Sequence, residues 1–201
     1  MTETAPILDA LRARNSAPRL TDPGPDDRQV DAMIECALRS PDHAWLRPWR
    51  FVSVSGGDRA ALGELFEKSL LRREPDADEA ARSKARAAPL RAPRMLIVLA
   101  AHTEHPKVPR WEQQVSTGCA AYSVLLAAEA MGFAAVWRTG AVAEDPAFVS
   151  ELGAAANEKV IGFLYLGTRD GDAKALPELR AEDFHRHWRA DADNTNPQES
   201  T

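Results

Sequence analysis

The run Met95-Leu96-Ile97-Val98-Leu99-Ala100-Ala101 decides how this chain folds. Seven apolar residues in succession are short for a helix and too uniform for a strand with one wet face. The run therefore reads as a central strand buried on both sides, which needs a covering layer on each face. Downstream, after the proline-punctuated loop His102–Arg110, Trp111–Met131 is patterned as one long helix stopped by Gly132. From Val115 onward it is apolar almost all round, with small residues at Gly118, Ala120, Ala121, Ala127 and Ala128, which predicts a helix buried on every side. Phe133–Arg138 and Val160–Leu166 read as further strands, and Asp145-Pro146 as the cap and first turn of a helix ending at Gly153.

Upstream, Ile7, Leu8 and Leu11 recur at helical spacing, and Asn15-Ser16-Ala17-Pro18 breaks the pattern, so a short first helix delivers Arg14, Asn15 and Ser16 to a loop. Asp26 is placed to cap a second helix whose apolar face is Val30, Met33, Ile34, Ala37 and Leu38. Prolines 41 and 48 keep Arg39–Arg50 irregular, and Phe51–Ser55 reads as a strand with Val52 and Val54 on one face. Asp58 is expected to cap a third helix, after which Arg72–Arg91 is charged, Ala-rich and suited to an exposed helix or cover. Beyond Gly167 the chain is polar, with five bases against eight acids over 168–201. The reading is one α+β or α/β domain over 1–167 followed by a polar C-terminal tail, 168–201.

The 201 residues are 44% apolar and 27% charged, the make-up of one globular domain, and a net charge of −5 offers no general attraction to nucleic acid or anionic lipid. No stretch has the roughly 18 apolar residues of a membrane helix, and Met1–Ala10 carries acids where a signal peptide carries bases. Two cysteines, Cys36 and Cys119, are too few for a disulfide scaffold. A cytoplasmic protein is expected. Hydrolase-elbow, zincin, Walker A and dinucleotide-fingerprint motifs are missing, and His102 and His105 sit in a proline-rich loop without an acid or thiol to complete a metal site, so no metal is expected.

Arg14, Asn15, Ser16 and Arg19 combine cations with short hydrogen-bonders at a helix-to-loop transition, as a phosphate monoester requires, although a solvated helix end has the same composition. Further segments follow in order: Arg39-Ser40-Pro41-Asp42-His43, Pro48-Trp49-Arg50-Phe51, Val108-Pro109-Arg110-Trp111-Glu112-Gln113, Gly132–Gly140 and Ile161–Gly167. Taken as an ordered set over Ile7 to Thr168, they resemble the nitroreductase family of flavin enzymes, most closely its short-chain bacterial subfamily of NAD(P)H nitroreductases.

The resemblance implies an α+β fold with a mixed central sheet and surrounding helices, working as an intertwined homodimer with FMN at the subunit interface. It implies that Arg14, Asn15 and Ser16 hold the flavin phosphate and ribityl chain, that Arg39 and His43 reach the flavin of the partner subunit, and that Trp137, Arg138 and Thr139 also contact FMN. The stretch Ala127, Ala128, Glu129, Ala130, Met131 and Gly132 aligns with a segment assigned to the nicotinamide nucleotide. Pro18 stands where many members carry a basic residue, and Arg19 follows it. No side-chain nucleophile is implied, because FMN carries the chemistry. The implied activity is reduction of nitroaromatic, quinone or similar acceptors by NADH or NADPH in a ping-pong hydride mechanism. The same fold hosts other flavin reactions, such as dehalogenation, flavin fragmentation and dehydrogenation, and a non-catalytic flavin-carrying interaction protein is the alternative from another class.

Overall fold

In the computed structural model, which describes residues 6–188, the decisive run forms a strand from Arg94 to Ala101 that is buried at every position. In chain order the elements are α1 (Pro6–Ala13), β1 (Leu20–Thr21), α2 (Asp27–Ala37), β2 (Trp49–Ser55), α3 (Asp58–Arg73), α4 (Glu79–Arg86), β3 (Arg94–Ala101), α5 (Arg110–Ala130), β4 (Ala134–Arg138), α6 (Pro146–Glu151) and β5 (Glu158–Arg169). The sheet runs β1-β5-β3-β2, with β4 also paired to β5.

Alternation along β3 and β5 builds two apolar layers. Leu96, Val98, Leu164 and Leu166 face α2 and α5 on one side of the sheet. Met95, Ile97, Leu99, Phe163 and Tyr165 face α3 and α6 on the other, where Phe66 and Phe148 meet edge to face at 5.2 Å. A bulge in the β3–β5 ladder falls between Val98 and Leu99, so the parity of β5 changes there and Val160 joins the second layer. As expected, Val52 and Val54 pack on that layer while Phe51 packs on the first.

Local signals place the helices. Asp26 caps α2 through a capping box with Gln29, and Asp145 accepts from the Ala147 amide with Pro146 in the first turn of α6. Four expectations are corrected. The pairings within the chain are all antiparallel, so the sheet is not mixed among the described residues; the connections between paired strands return each one in the reverse direction. Helix α3 starts one residue earlier than expected, with Gly57 at the N-cap and Asp58 in the first turn. Leu38 lies past the end of α2 and is exposed. Helix α5 is not covered on every side, because Val115 is 57% exposed and Trp111 65%. The two-residue strand β1 gave no periodic signal. Among the described residues, no helix is long and apolar enough to cross a membrane.

Candidate functional site

Helix α1 ends at Ala13 and the following loop crosses to β4, where the Ala17 amide donates to the Ala135 carbonyl at 3.0 Å. This tie fixes the predicted Arg14-Asn15-Ser16 segment. Arg14 Nη1 donates to Ser16 Oγ at 3.4 Å, and Asn15 Nδ2 donates to the Lys174 carbonyl at 2.5 Å, holding the chain beyond β5 against the loop. Arg169, the last residue of β5, donates from Nη2 to the Asn15 carbonyl at 3.0 Å. Arg14, Asn15 and Arg169 share a small recess with Glu129 and Phe133.

A second, open recess of about 430 Å³ is lined by Pro18, Arg19, Leu20, Arg91, Arg138 and Asp170. Arg19 pairs with Asp170 at 3.6 Å. Arg138 donates to the Pro18 carbonyl at 3.4 Å and lies 5.9 Å from the centroid of the Tyr165 ring. Burial pushes the Tyr165 phenol up, while the positive charges of Arg91 and Arg138 oppose that shift.

Two donors here have no acceptor. Nη1 of Arg169 and Nε of Arg138 are both buried and unpartnered. Buried guanidinium nitrogens are normally satisfied. Nε of Arg94, a residue bonded to Ser53 and Asp27 in another part of the molecule, is a further unpartnered one, but Arg169 and Arg138 differ from it in lining the two recesses, one each, where an acceptor of another molecule can reach them. Guanidinium groups beside a serine hydroxyl and an asparagine amide are the donor set for a phosphate-bearing ligand.

The other predicted residues fall as follows. Trp137 points to the opposite face of β4 from Arg138 and lies over Gly162 of β5, where a Cβ would collide with the indole. Its far edge approaches Gly118 of α5, 3.8 Å from where a Cβ would stand there. Thr139 follows β4 and is exposed. Ala127–Ala130 is the last turn of α5, whose carbonyls are closed by the amides of Met131, Gly132 and Phe133; Ala128 is buried, and Ala130, Met131 and Gly132 are exposed.

Arg39 and His43 lie elsewhere on α5's surroundings. His43 Nδ1 pairs with Glu112 at 2.8 Å in the first turn of α5. Arg39 lines a recess with Ser40, Asp42, Trp45 and Arg47, and Trp45 and Arg47, with the neighbouring Ala44, take positive φ. Glu112 and Glu129 stand about 25 Å apart at the rise of an α-helix, so the structure brings Arg14, Asn15 and Ser16 together with β4 but leaves His43 at the far end of α5. Arg169 and Arg91 were missed by sequence reasoning. Neither belongs to a local motif; strand pairing and the turn after α4 bring them to the recesses.

The profile of the Nitroreductase family matches residues 11–168. A protein of Escherichia coli strain K12 named "Putative NAD(P)H nitroreductase YdjA" is 40% identical over 174 residues, covering 87% of this chain and 90% of that protein. A Haemophilus influenzae protein named "Putative NAD(P)H nitroreductase" is 35% identical over 177 residues, covering 88% and 94%. Among solved structures, a nitroreductase-like family protein from Bacillus cereus superposes with a TM-score of 0.78 at 20% identity, covering 94% of this chain and 98% of the other. A Bacteroides fragilis nitroreductase described with bound FMN gives 0.68 at 24% identity, covering 89% and 96%. These likenesses agree with the ordered segments and the fold on the page: the chain belongs to the nitroreductase family.

Proposed function

We propose that the chain is an FMN-dependent oxidoreductase that takes a hydride from NADH or NADPH and passes it to a nitroaromatic, quinone or similar acceptor in a ping-pong cycle. The observation that carries the reading is the pair of buried, unpartnered guanidinium nitrogens on Arg169 and Arg138, flanking the Arg14-Asn15-Ser16 loop. The printed names of the E. coli and H. influenzae relatives and the FMN in the B. fragilis structure support it.

Arg14, Asn15, Ser16 and Arg169 would hold the phosphate and ribityl chain, and Arg138 and Thr139 would border the ring, while Trp137, turned to the other face of β4, would act there through its packing on Gly162. FMN supplies the hydride chemistry when bound. The protein binds the dianion, orients the ring and offsets negative charge on its reduced form, which Arg138 is placed to do through its unpartnered Nε. Within the turn Ala127–Gly132, the exposed residues Ala130, Met131 and Gly132 are the part that would meet the nicotinamide nucleotide.

The site is proposed to need two copies of the chain. His43 and Arg14 lie near opposite ends of α5. A second copy whose α5 crosses the first in the reverse direction brings the first turn of one helix to the last turn of the other. The exposed apolar side chains Trp111, Val115 and Tyr122 on α5, with Ile7, Leu8 and Leu11 on α1, supply surface for that contact. Two free thiols fit a reducing cytoplasm.

The test is an absorbance spectrum of the purified protein, reconstituted with FMN, before and after anaerobic addition of NADH and of NADPH. Flavin bands that bleach with either nucleotide and return with a nitroaromatic or quinone are expected. A protein that stays colourless, or flavin bands that neither nucleotide bleaches, overturns the reading. Bleaching without turnover of these acceptors points to another reaction of the fold.

A further inference from the structure

Helix α4 has two faces with different work. Glu79, Arg82 and Arg86 recur at i, i+3 and i+7 and turn toward α3, where both arginines bond Glu67, at 2.7 Å from Arg82 and 2.5 Å from Arg86. Gly63 of α3 has no Cβ to keep the Arg86 carbonyl away, so the two helices approach closely. Ala81, Lys84 and Ala85 recur at i, i+3 and i+4 and, with Ala88 in the turn that follows α4, face a groove instead.

That groove measures about 550 Å³ and has Phe66, Leu70 and Val142 as its apolar floor. The three alanines are too short to fill it, so the space stays open while α4 is latched from its other face. Arg73, Lys84 and Arg91 also line the groove, and among the described residues no carboxylate does. A local excess of cations in a chain of net charge −5 is opposite in sign to the molecule as a whole. Two acids of this helix pair, Glu67 and Glu79, both engage Arg82 and Arg86 on the other face of α4, and Asp58 and Glu64 of α3 do not line the groove. Arg91 also lines the recess that holds Arg138, and Gly140 and Ala141, directly after Thr139, line the groove beside Val142.

We infer that this groove binds an amphipathic organic anion, an aromatic or acyl body lying on Phe66, Leu70 and Val142 with a carboxylate or sulfonate at Lys84 and Arg91. An apolar trough with cations among its lining residues selects such a molecule over a neutral one of the same shape, because the neutral analogue leaves the cations solvated and gains only burial. That this anion is the second substrate of the oxidoreductase rests on the proposed function; that the groove binds it does not.

The experiment is calorimetric titration of the full-length protein with 4-nitrobenzoate and with its neutral counterpart 4-nitrobenzyl alcohol, on wild type, Lys84→Gln/Arg91→Gln and Ala85→Leu. Lys84 and Arg91 are exposed, so the double variant is expected to keep its fold, checked by circular dichroism and the unfolding midpoint. Wild type is expected to prefer the carboxylate. The double variant should bind it about tenfold or more weakly with the alcohol unchanged, and Ala85→Leu should weaken both by filling the trough. Equal affinity for acid and alcohol in wild type, or a double variant that binds the acid as wild type does, overturns the inference. Carboxylate binding in a protein whose flavin is not bleached by NAD(P)H overturns the oxidoreductase reading and supports the groove. Bleaching without carboxylate binding does the reverse.

Discussion

Arg169 and Arg138 each bury a guanidinium nitrogen without an acceptor, an arrangement that costs a folded protein about 1–3 kcal/mol per group. A bound phosphate would recover that cost at Arg169 and gain a charge-assisted contact from Arg14, so both Arg14→Ala and Arg169→Gln are expected to weaken FMN binding by about 1.5–3 kcal/mol, roughly ten- to a hundredfold, in a fluorescence titration of the apoprotein. An unchanged affinity removes that residue from the site. Trp137 is constrained from the opposite side. Adding a methyl at Gly162 drives a Cβ into its indole, so Gly162→Ala should cost about 1–3 kcal/mol in urea unfolding and shift the tryptophan emission; emission and midpoint both like wild type would show that Trp137 does not rest there. Arg14-Asn15-Ser16 was legible in the sequence because its donors are adjacent in the chain. Arg169 was not, since the bond that brings it to Asn15 joins residues 154 apart in the chain.

Elements follow the same division between local and distant causes. Strand β3 and the capped starts of α2 and α6 were legible, because apolar runs and N-cap oxygens act within a few residues. The antiparallel sense of the whole sheet and the two-residue β1 depend on partners that no local pattern names. Helix α4 shows how little apolar surface an element can bury and still be held. None of its residues is fully buried, and the Glu67 carboxylate anchors it. Hydrogen bonds from Arg86 and then Arg82 hold that carboxyl below the ordinary glutamate value of 4.5. Because the folded-state value is lowered, the latch is fully present above about pH 4.5 and is lost as the pH falls through the folded value. Hydrogen exchange of α4 amides should therefore accelerate relative to those of β3 on going from about pH 6 to about pH 3, after correction for intrinsic rates. Glu67→Gln should show fast α4 exchange at both ends of that range. An α4 whose protection falls only in step with β3 would show that the ion cluster does not hold it.

At the scale of the whole molecule, the unexpected exposure of α5 becomes informative. Composition alone makes α5 a helix to be covered on every side, yet the described residues of one chain, with α2, the sheet and α1 against it, leave Trp111, Val115 and Tyr122 at the surface. Sequence reports how much apolar surface a helix carries and not which copy of the chain covers it. If a second copy does, the unit in solution is twice 22.0 kDa, and dimerisation and cofactor retention rise and fall together, because Arg14 and His43 reach one ligand only across the interface. Val115→Glu tests both consequences in one protein. A carboxylate at the centre of an apolar contact would lose its water without gaining a partner, a penalty of several kcal/mol counted twice in a symmetric pair. The variant is expected to run as a 22.0 kDa monomer in light scattering, to keep its circular dichroism spectrum because Val115 is exposed in the single chain, and to release FMN on gel filtration. A Val115→Glu monomer that retains FMN with wild-type affinity would place the whole cofactor site within one chain and remove Arg39 and His43 from it.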